Sequence, residues 1–181
     1  MLKEFKFFHG VVFADLIHAT GSKLTIRSYS STSNSSYVIN ENFGLYIKYS
    51  SKRMSPWRYS FKREHQDEIA KMRQDFGQVY VIFVCNDDGY VALNFSQLKT
   101  ILNDQHDDVE WVSVSRNRRE MYLVNGSDGK LPFKVGQNNF SKKLLTAEER
   151  GKGELDAQIE TDSSVSCSNG VFHCLEEHTA Y

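Results

Sequence analysis

The segment VYVIFVC, residues 79–85, is apolar at every position and mostly β-branched or aromatic. A strand with one wet face alternates polar and apolar residues, so an unbroken apolar run needs cover on both faces. It predicts a central strand at 79–85 in a layered α/β fold.

The flanking sequence supplies the other layers. Phe5, Phe8, Val12 and Leu16, with Val11 and Ile17 beside them, recur at three- and four-residue steps and predict an amphipathic helix that Gly21 ends. Leu24, Ile26 and Ser28 alternate with Thr25, Arg27 and Tyr29 as a strand running into the loop-like SSTSNSS. SYVIN and LYIKY read as two strands about a turn, for which Asn40, Asn42 and Gly44 tolerate the unusual backbone angles. From about Lys62 to Phe76, the residues Ile69, Met72 and Phe76 mark the apolar side of a charged helix that Gly77 stops. After the central strand, Asn86 to Gly89 turn into the strand YVALN. Phe95, Leu98, Ile101 and Leu102 describe a helix with Asn94 or Ser96 as cap. WVSVSR and EMYLV are further strands, separated by Asn117, Arg118 and Arg119. The expected fold is α/β, a mixed central sheet with flanking helices, in the order helix, three strands, helix, strand.

A chain of 181 residues suits one domain with an extension. The hydrophobic period fades after Phe140, while Glu148, Glu149, Glu154, Asp156, Glu160 and Asp162 accumulate and Gly151 and Gly153 oppose helix. Residues 1–143 are therefore expected to be the globular domain and 144–181 a flexible, polar, acidic tail. Lys3, Glu4, Lys6, His9 and Asp15 interrupt the N-terminal apolar patch, and no run nears the roughly 20 apolar residues of a membrane span. With three cysteines, an odd number, reduced thiols and a cytoplasmic setting are expected, with no membrane partner.

The net charge of −1 excludes a molecule-wide positive field, so attraction to nucleic acid must come from local clustering. Such a cluster exists. In GLYIKYSSKRMSPWRYSFKREHQ, Lys48, Lys52, Arg53, Arg58, Lys62 and Arg63 precede any acidic residue, interleaved with Tyr46, Tyr49, Trp57, Tyr59 and Phe61. Cations neutralise phosphates and aromatic faces stack on bases, so Lys52, Arg53, Trp57, Arg58, Lys62 and Arg63 are candidates for binding DNA or RNA. The competing reading is a solvated basic edge with Trp57 and Phe61 in the core. Arg116, Arg118 and Arg119 form a second basic group, and the two on one face would make a phosphate-tracking groove.

Helix, three strands with a lysine in the third, helix and buried strand resembles the core of the PD-(D/E)XK nuclease-like fold over roughly residues 1–95. The resemblance implies phosphodiester hydrolysis with Mg²⁺. It places Lys48 at the lysine position and Glu4 and Gln66 at the assisting positions on the first and following helices. Where that family carries an acid two residues before the lysine, this chain has Tyr46, and near the second strand it offers Asn40 and Glu41. Mg²⁺ is held by carboxylate oxygens, which Asn40 and Tyr46 lack. Either Glu4, Asp15 and Glu41 bring carboxylates in, with Glu41 and Asp15 as the metal ligands, or the fold has lost hydrolysis and kept binding.

Other constellations are sparser. Asp15 and His18 share a helix face at a spacing that allows a hydrogen-bonded pair, read either as a general base or as a satisfied boundary histidine, and His9 lies on the same helix. Cys167, His173, Cys174 and His178 offer zinc-type ligands at wide spacing. NGSDGK at 125–130 reads as a hairpin turn and not a phosphate loop. The expected function is a nucleic-acid-binding domain with a nuclease-like fold, either a metal-dependent phosphodiesterase or a catalytically degenerate relative. The alternative is a non-catalytic protein-interaction or regulatory domain. Carboxylates gathered beside Lys48 would separate them.

Overall fold

The apolar run is the interior of a five-stranded mixed sheet. In chain order the elements are α1 (Glu4–Ala19), β1 (Ile26–Ser28), β2 (Ser36–Ile39), β3 (Phe43–Ser50), β4 (Trp57–Lys62), α2 (Arg63–Phe76), β5 (Gln78–Cys85), β6 (Tyr90–Asn94), α3 (Phe95–Ile101), β7 (Val109–Ser115) and β8 (Leu123–Gly126). This computed structural model describes residues 3–21, 23–29, 34–105, 107 and 109–145. Those up to Lys143 belong to one compact unit. The expected tail beyond Leu145, with Cys167, His173, Cys174 and His178, lies outside the described residues, as do residues 30–33 of the SSTSNSS loop.

Sheet A runs β1-β2-β3-β5-β6 and sheet B runs β4-β7-β8. β1, β2 and β3 form an antiparallel meander, β5 lies parallel to β3 with Lys48 opposite Phe83, and β6 returns antiparallel. The parallel step needs a crossover. The chain makes it through β4 and α2, and Gly77, at φ 67, ends α2 in the left-handed conformation that glycine adopts without a Cβ penalty. The α/β fold with a mixed sheet is as expected; β4 is the addition. Its sequence WRYSFK alternates strictly, so Trp57, Tyr59 and Phe61 are buried while Arg58, Ser60 and Lys62 face out.

The main core lies between one face of sheet A and the layer of α2, α3 and sheet B. Val79, Val81, Phe83 and Cys85 meet Tyr59, Phe61, Ile69, Met72, Leu98 and Val112 there. On the other face, α1 seats Val12 and Leu16, Phe8 stacks on Tyr49 at 4.7 Å, and Asp15 lies near Tyr90 of β6. Val11 and Ile17 of α1 point to solvent. Cys85 is a buried free thiol whose pKa burial pushes up to about 12, which leaves it inert as a nucleophile. Among the described residues, no helix is long and apolar enough to cross a membrane.

Candidate functional site

Alternation along β3 decides what each candidate can meet. Gly44 and Tyr46 face α2, where Gly44 meets Met72 and the Tyr46 ring lies 6.4 Å from that of His65. Tyr49 faces α1. Lys48 shares the α2 side with Tyr46. Its ammonium donates to the Ser60 carbonyl at 2.7 Å, lies 3.1 Å from His65 Nδ1 and sits 4.7 Å from the centre of the Phe61 ring. Burial pushes the pKa of Lys48 down to about 8, and burial together with the Lys48 charge lowers that of His65.

The carboxylate candidates do not converge on Lys48. Glu4 reaches Tyr49 Oη at 3.4 Å and Asp15 faces Tyr90, both on the α1 side of sheet A. Glu41 sits in the β2–β3 turn, at the far end of β3, and pairs with Arg27 at 3.3 Å. Pleating sends neighbouring side chains of β3 to opposite faces, so the sheet itself separates Glu4 and Asp15 from the Lys48 ammonium. The groups in contact with Lys48 are a carbonyl and an imidazole, with one exposed carboxylate, Glu64, acting on it from a distance and lying 3.8 Å from His65 Nε2, which does not make the carboxylate set that Mg²⁺ takes. Among the described residues, no three histidine, cysteine, aspartate or glutamate side chains stand together as metal ligands.

Gln66 lies on the same side as Lys48, in the first turn of α2, and is buried. Its amide makes a very close hydrogen bond to the carboxyl group of Glu110, which is itself 1% exposed. Sequence reasoning overlooked Glu110. The signal was present in VEWVSVS, where period two puts Glu110 on the face of Val112 and Val114.

The basic, aromatic segment divides in two. Trp57 is 2% exposed and its indole N–H donates to the Lys52 carbonyl at 2.8 Å, so it cannot stack on a base. That corrects its place among the binding residues. Lys52 and Arg53 occupy the exposed β3–β4 loop, with the Lys52 ammonium on the Pro56 carbonyl at 3.0 Å. Arg58 and Lys62 project from the outer face of β4, and exposed Arg63 follows at the start of α2. Lys62 shares its charge with Glu64 at 3.6 Å. Beside it, Lys62, Arg63, Glu64, Asp67 and Val109 line an open crevice of about 440 Å³ whose two acids limit the positive potential at that end.

Sheet register supplies an aromatic residue in place of Trp57. Ser60 pairs with Trp111, Arg58 with Ser113 and Lys62 with Val109. Val109 is 59% exposed and Trp111 42%. The Arg58 guanidinium lies 5.7 Å from the centre of the Trp111 ring. The second basic group splits as well. Arg116 is held by Asp88 at 2.6 Å and lies 4.6 Å from the centre of the Tyr122 ring, a structural knot, whereas Arg118 and Arg119 are exposed in the β7–β8 turn. That turn adjoins the β3–β4 loop, since the Arg116 N–H donates to Ser55 Oγ at 3.2 Å. Arg53, Arg118 and Arg119 thus share one end of sheet B, Lys62 and Arg63 the other, and Arg58 and Trp111 lie between.

No protein-family model, curated protein or solved structure matches this chain.

Proposed function

We propose that this protein is a nucleic-acid-binding domain on a nuclease-like α/β fold, that it binds through the outer face of sheet B, and that it does not hydrolyse phosphodiesters. The observation that carries the proposal is the outer face of sheet B itself, where Arg58, Lys62 and half-exposed Trp111 lie together, with exposed Arg53, Arg118 and Arg119 in the loops at one end of the sheet and Arg63 at the other. A strand of six residues spans roughly 20 Å, long enough for several phosphates. Within the order α1, β1, β2, β3, β4, α2, β5, in which β4 belongs to sheet B, the elements of sheet A follow the helix, three strands, helix, strand pattern, with Lys48 on β3 and Gln66 on α2 toward the same side, and this supports the nuclease-like reading. The separation of Glu4, Asp15 and Glu41 from Lys48 supports loss of chemistry.

The decisive measurement is fluorescence anisotropy of labelled single-stranded, duplex and branched oligonucleotides across a salt series, with and without Mg²⁺ or Mn²⁺. Affinity is expected to fall steeply with salt. Replacing Arg53, Arg58 and Arg118 together by alanine should reduce the slope on single strands by about 2, since each phosphate contact contributes roughly 0.7. No product band is expected with either metal; metal-dependent cleavage would restore the enzyme reading. Absence of binding to every substrate at low salt would overturn nucleic-acid recognition. It would leave a protein-interaction domain, for which exposed Val109, Met121 and Leu123 supply apolar contact area.

A further inference from the structure

Resting on the nucleic-acid reading above, we infer that the ligand is a single strand and that Trp111 is the platform on which one of its bases stacks.

The chain has two tryptophans, and the fold treats them oppositely. Trp57 is enclosed in the core between sheets A and B. Trp111 stands on the open side of sheet B, and its neighbours there are short. Ser60 is its partner on β4, Ser113 follows it two residues along β7, and Ser127 lies on the other flank, its Oγ accepting the backbone N–H of Trp111 at 2.8 Å. With small hydroxymethyl groups on three sides, Trp111 keeps 42% of its surface exposed. A large apolar side chain exposed to water raises the free energy of the protein, and a flat π-system laid on it removes part of that cost. Every nucleobase offers such a face.

The surroundings select a base over other flat groups. Arg58 sits over one face of the ring, 5.7 Å from its centre, where it leaves the other face to a base and can meet the phosphate joined to it, and Lys62 follows four residues further along β4. Ser60, Ser127 and the partly exposed amide of Asn125 supply donors and acceptors for a base edge. Bases inside a duplex have both faces covered by neighbouring pairs. The platform therefore reads unstacked bases, and a duplex can use only the cations.

The test compares, on the full chain, a thymidine oligonucleotide of about twelve nucleotides with an abasic strand of equal length that keeps the phosphates. Trp111→Ala should weaken the thymidine strand about 10-fold and leave the abasic strand unchanged, while Trp111→Phe should restore most of the loss. The thymidine strand should also quench wild-type tryptophan emission and leave the buried Trp57 emission of Trp111→Ala unaltered. That Trp57 signal, with the melting temperature, reports whether the variant is folded. Equal binding of the thymidine strand by wild type and Trp111→Ala would overturn the stacking role, as would an equal loss for both strands. A duplex that binds and quenches as well as the single strand would overturn strand selectivity. Failure of wild type to bind either strand at low salt would instead remove the nucleic-acid reading beneath it.

Discussion

The Lys48 ammonium lies 2.7 Å from the Ser60 carbonyl and 3.1 Å from His65 Nδ1, so one side chain of β3 joins sheet A to β4 and to the first turn of α2. The residue that the nuclease-like resemblance marks for catalysis is, in the fold, a strut between the two sheets.

A strut made from a buried amine has a signature in pH. Burial lowers the folded-state pKa of Lys48 from 10.5 to about 8. Below pH 8 both states carry the proton, and the folded state bears the full cost of a desolvated charge. Between 8 and 10.5 the unfolded chain binds the proton and the native chain does not, so the contribution to stability rises with pH. Urea denaturation of wild type and Lys48→Met at pH 7 and pH 10 should show the difference moving by about 1–2 kcal/mol in favour of wild type. A pH-independent difference would show a lysine that is well solvated. Oligonucleotide binding should be the same in both proteins, because Lys48 lies beneath sheet B and not on its outer face.

Gln66 and Glu110 make the second internal tie, between α2 and β7. Glu110→Ala would leave the Gln66 amide buried without its acceptor and should cost about 2–4 kcal/mol. Glu110→Gln keeps the shape and a carbonyl acceptor and should cost about 1 kcal/mol. Replacing both residues by methionine should recover part of the alanine loss, because an apolar pair asks for no hydrogen bond. Urea midpoints at constant m-value check the order; an alanine variant as stable as wild type would mean that water takes over the Gln66 amide.

His9 predicts acid sensitivity. It is buried on α1 among the Phe5, Tyr37 and Tyr49 rings, its Nδ1 lies 2.8 Å from Tyr37 Oη and its Nε2 has no hydrogen-bond partner. Burial lowers its pKa from 6.5 to about 4. The unfolded state therefore takes up a proton before the native state does, and the stability held above pH 6.5 is lost as pH falls toward 4. Thermal melts at pH 7 and pH 5 should show wild type losing about 1 kcal/mol more than His9→Phe. Parallel losses in the two proteins would place the acid sensitivity elsewhere.

Much of the fold is written in local periodicity. β5 follows from an unbroken apolar run, α2 from Ile69, Met72 and Phe76 with Gly77 as stop, and α3 from its cap, in which Asn94 Oδ1 accepts the Gln97 N–H at 2.9 Å. The β2–β3 turn is where the sequence places it, yet its left-handed residues are Asn40 and Glu41, at φ 48 and 61, while Gly44 sits inside β3. The strict alternation of WRYSFK also marks β4, a signal masked when that segment is read for its charge alone.

The sites followed a different rule. A strand's sequence states which residues share a face, since alternation is a property of one chain segment, but not which of its two faces the rest of the molecule will cover. Sequence alone therefore determined that Arg58, Ser60 and Lys62 lie opposite Trp57, Tyr59 and Phe61, and that Lys48 and Tyr49 point apart. Only the packing of sheet B on sheet A decided that Trp57 is interior and Trp111 exterior, and only the path of α1 across the other side of sheet A kept Glu4 and Asp15 from Lys48. Burial of apolar area is non-directional, so the whole fold chooses which apolar faces to join, and the polar residues on those faces are carried with them.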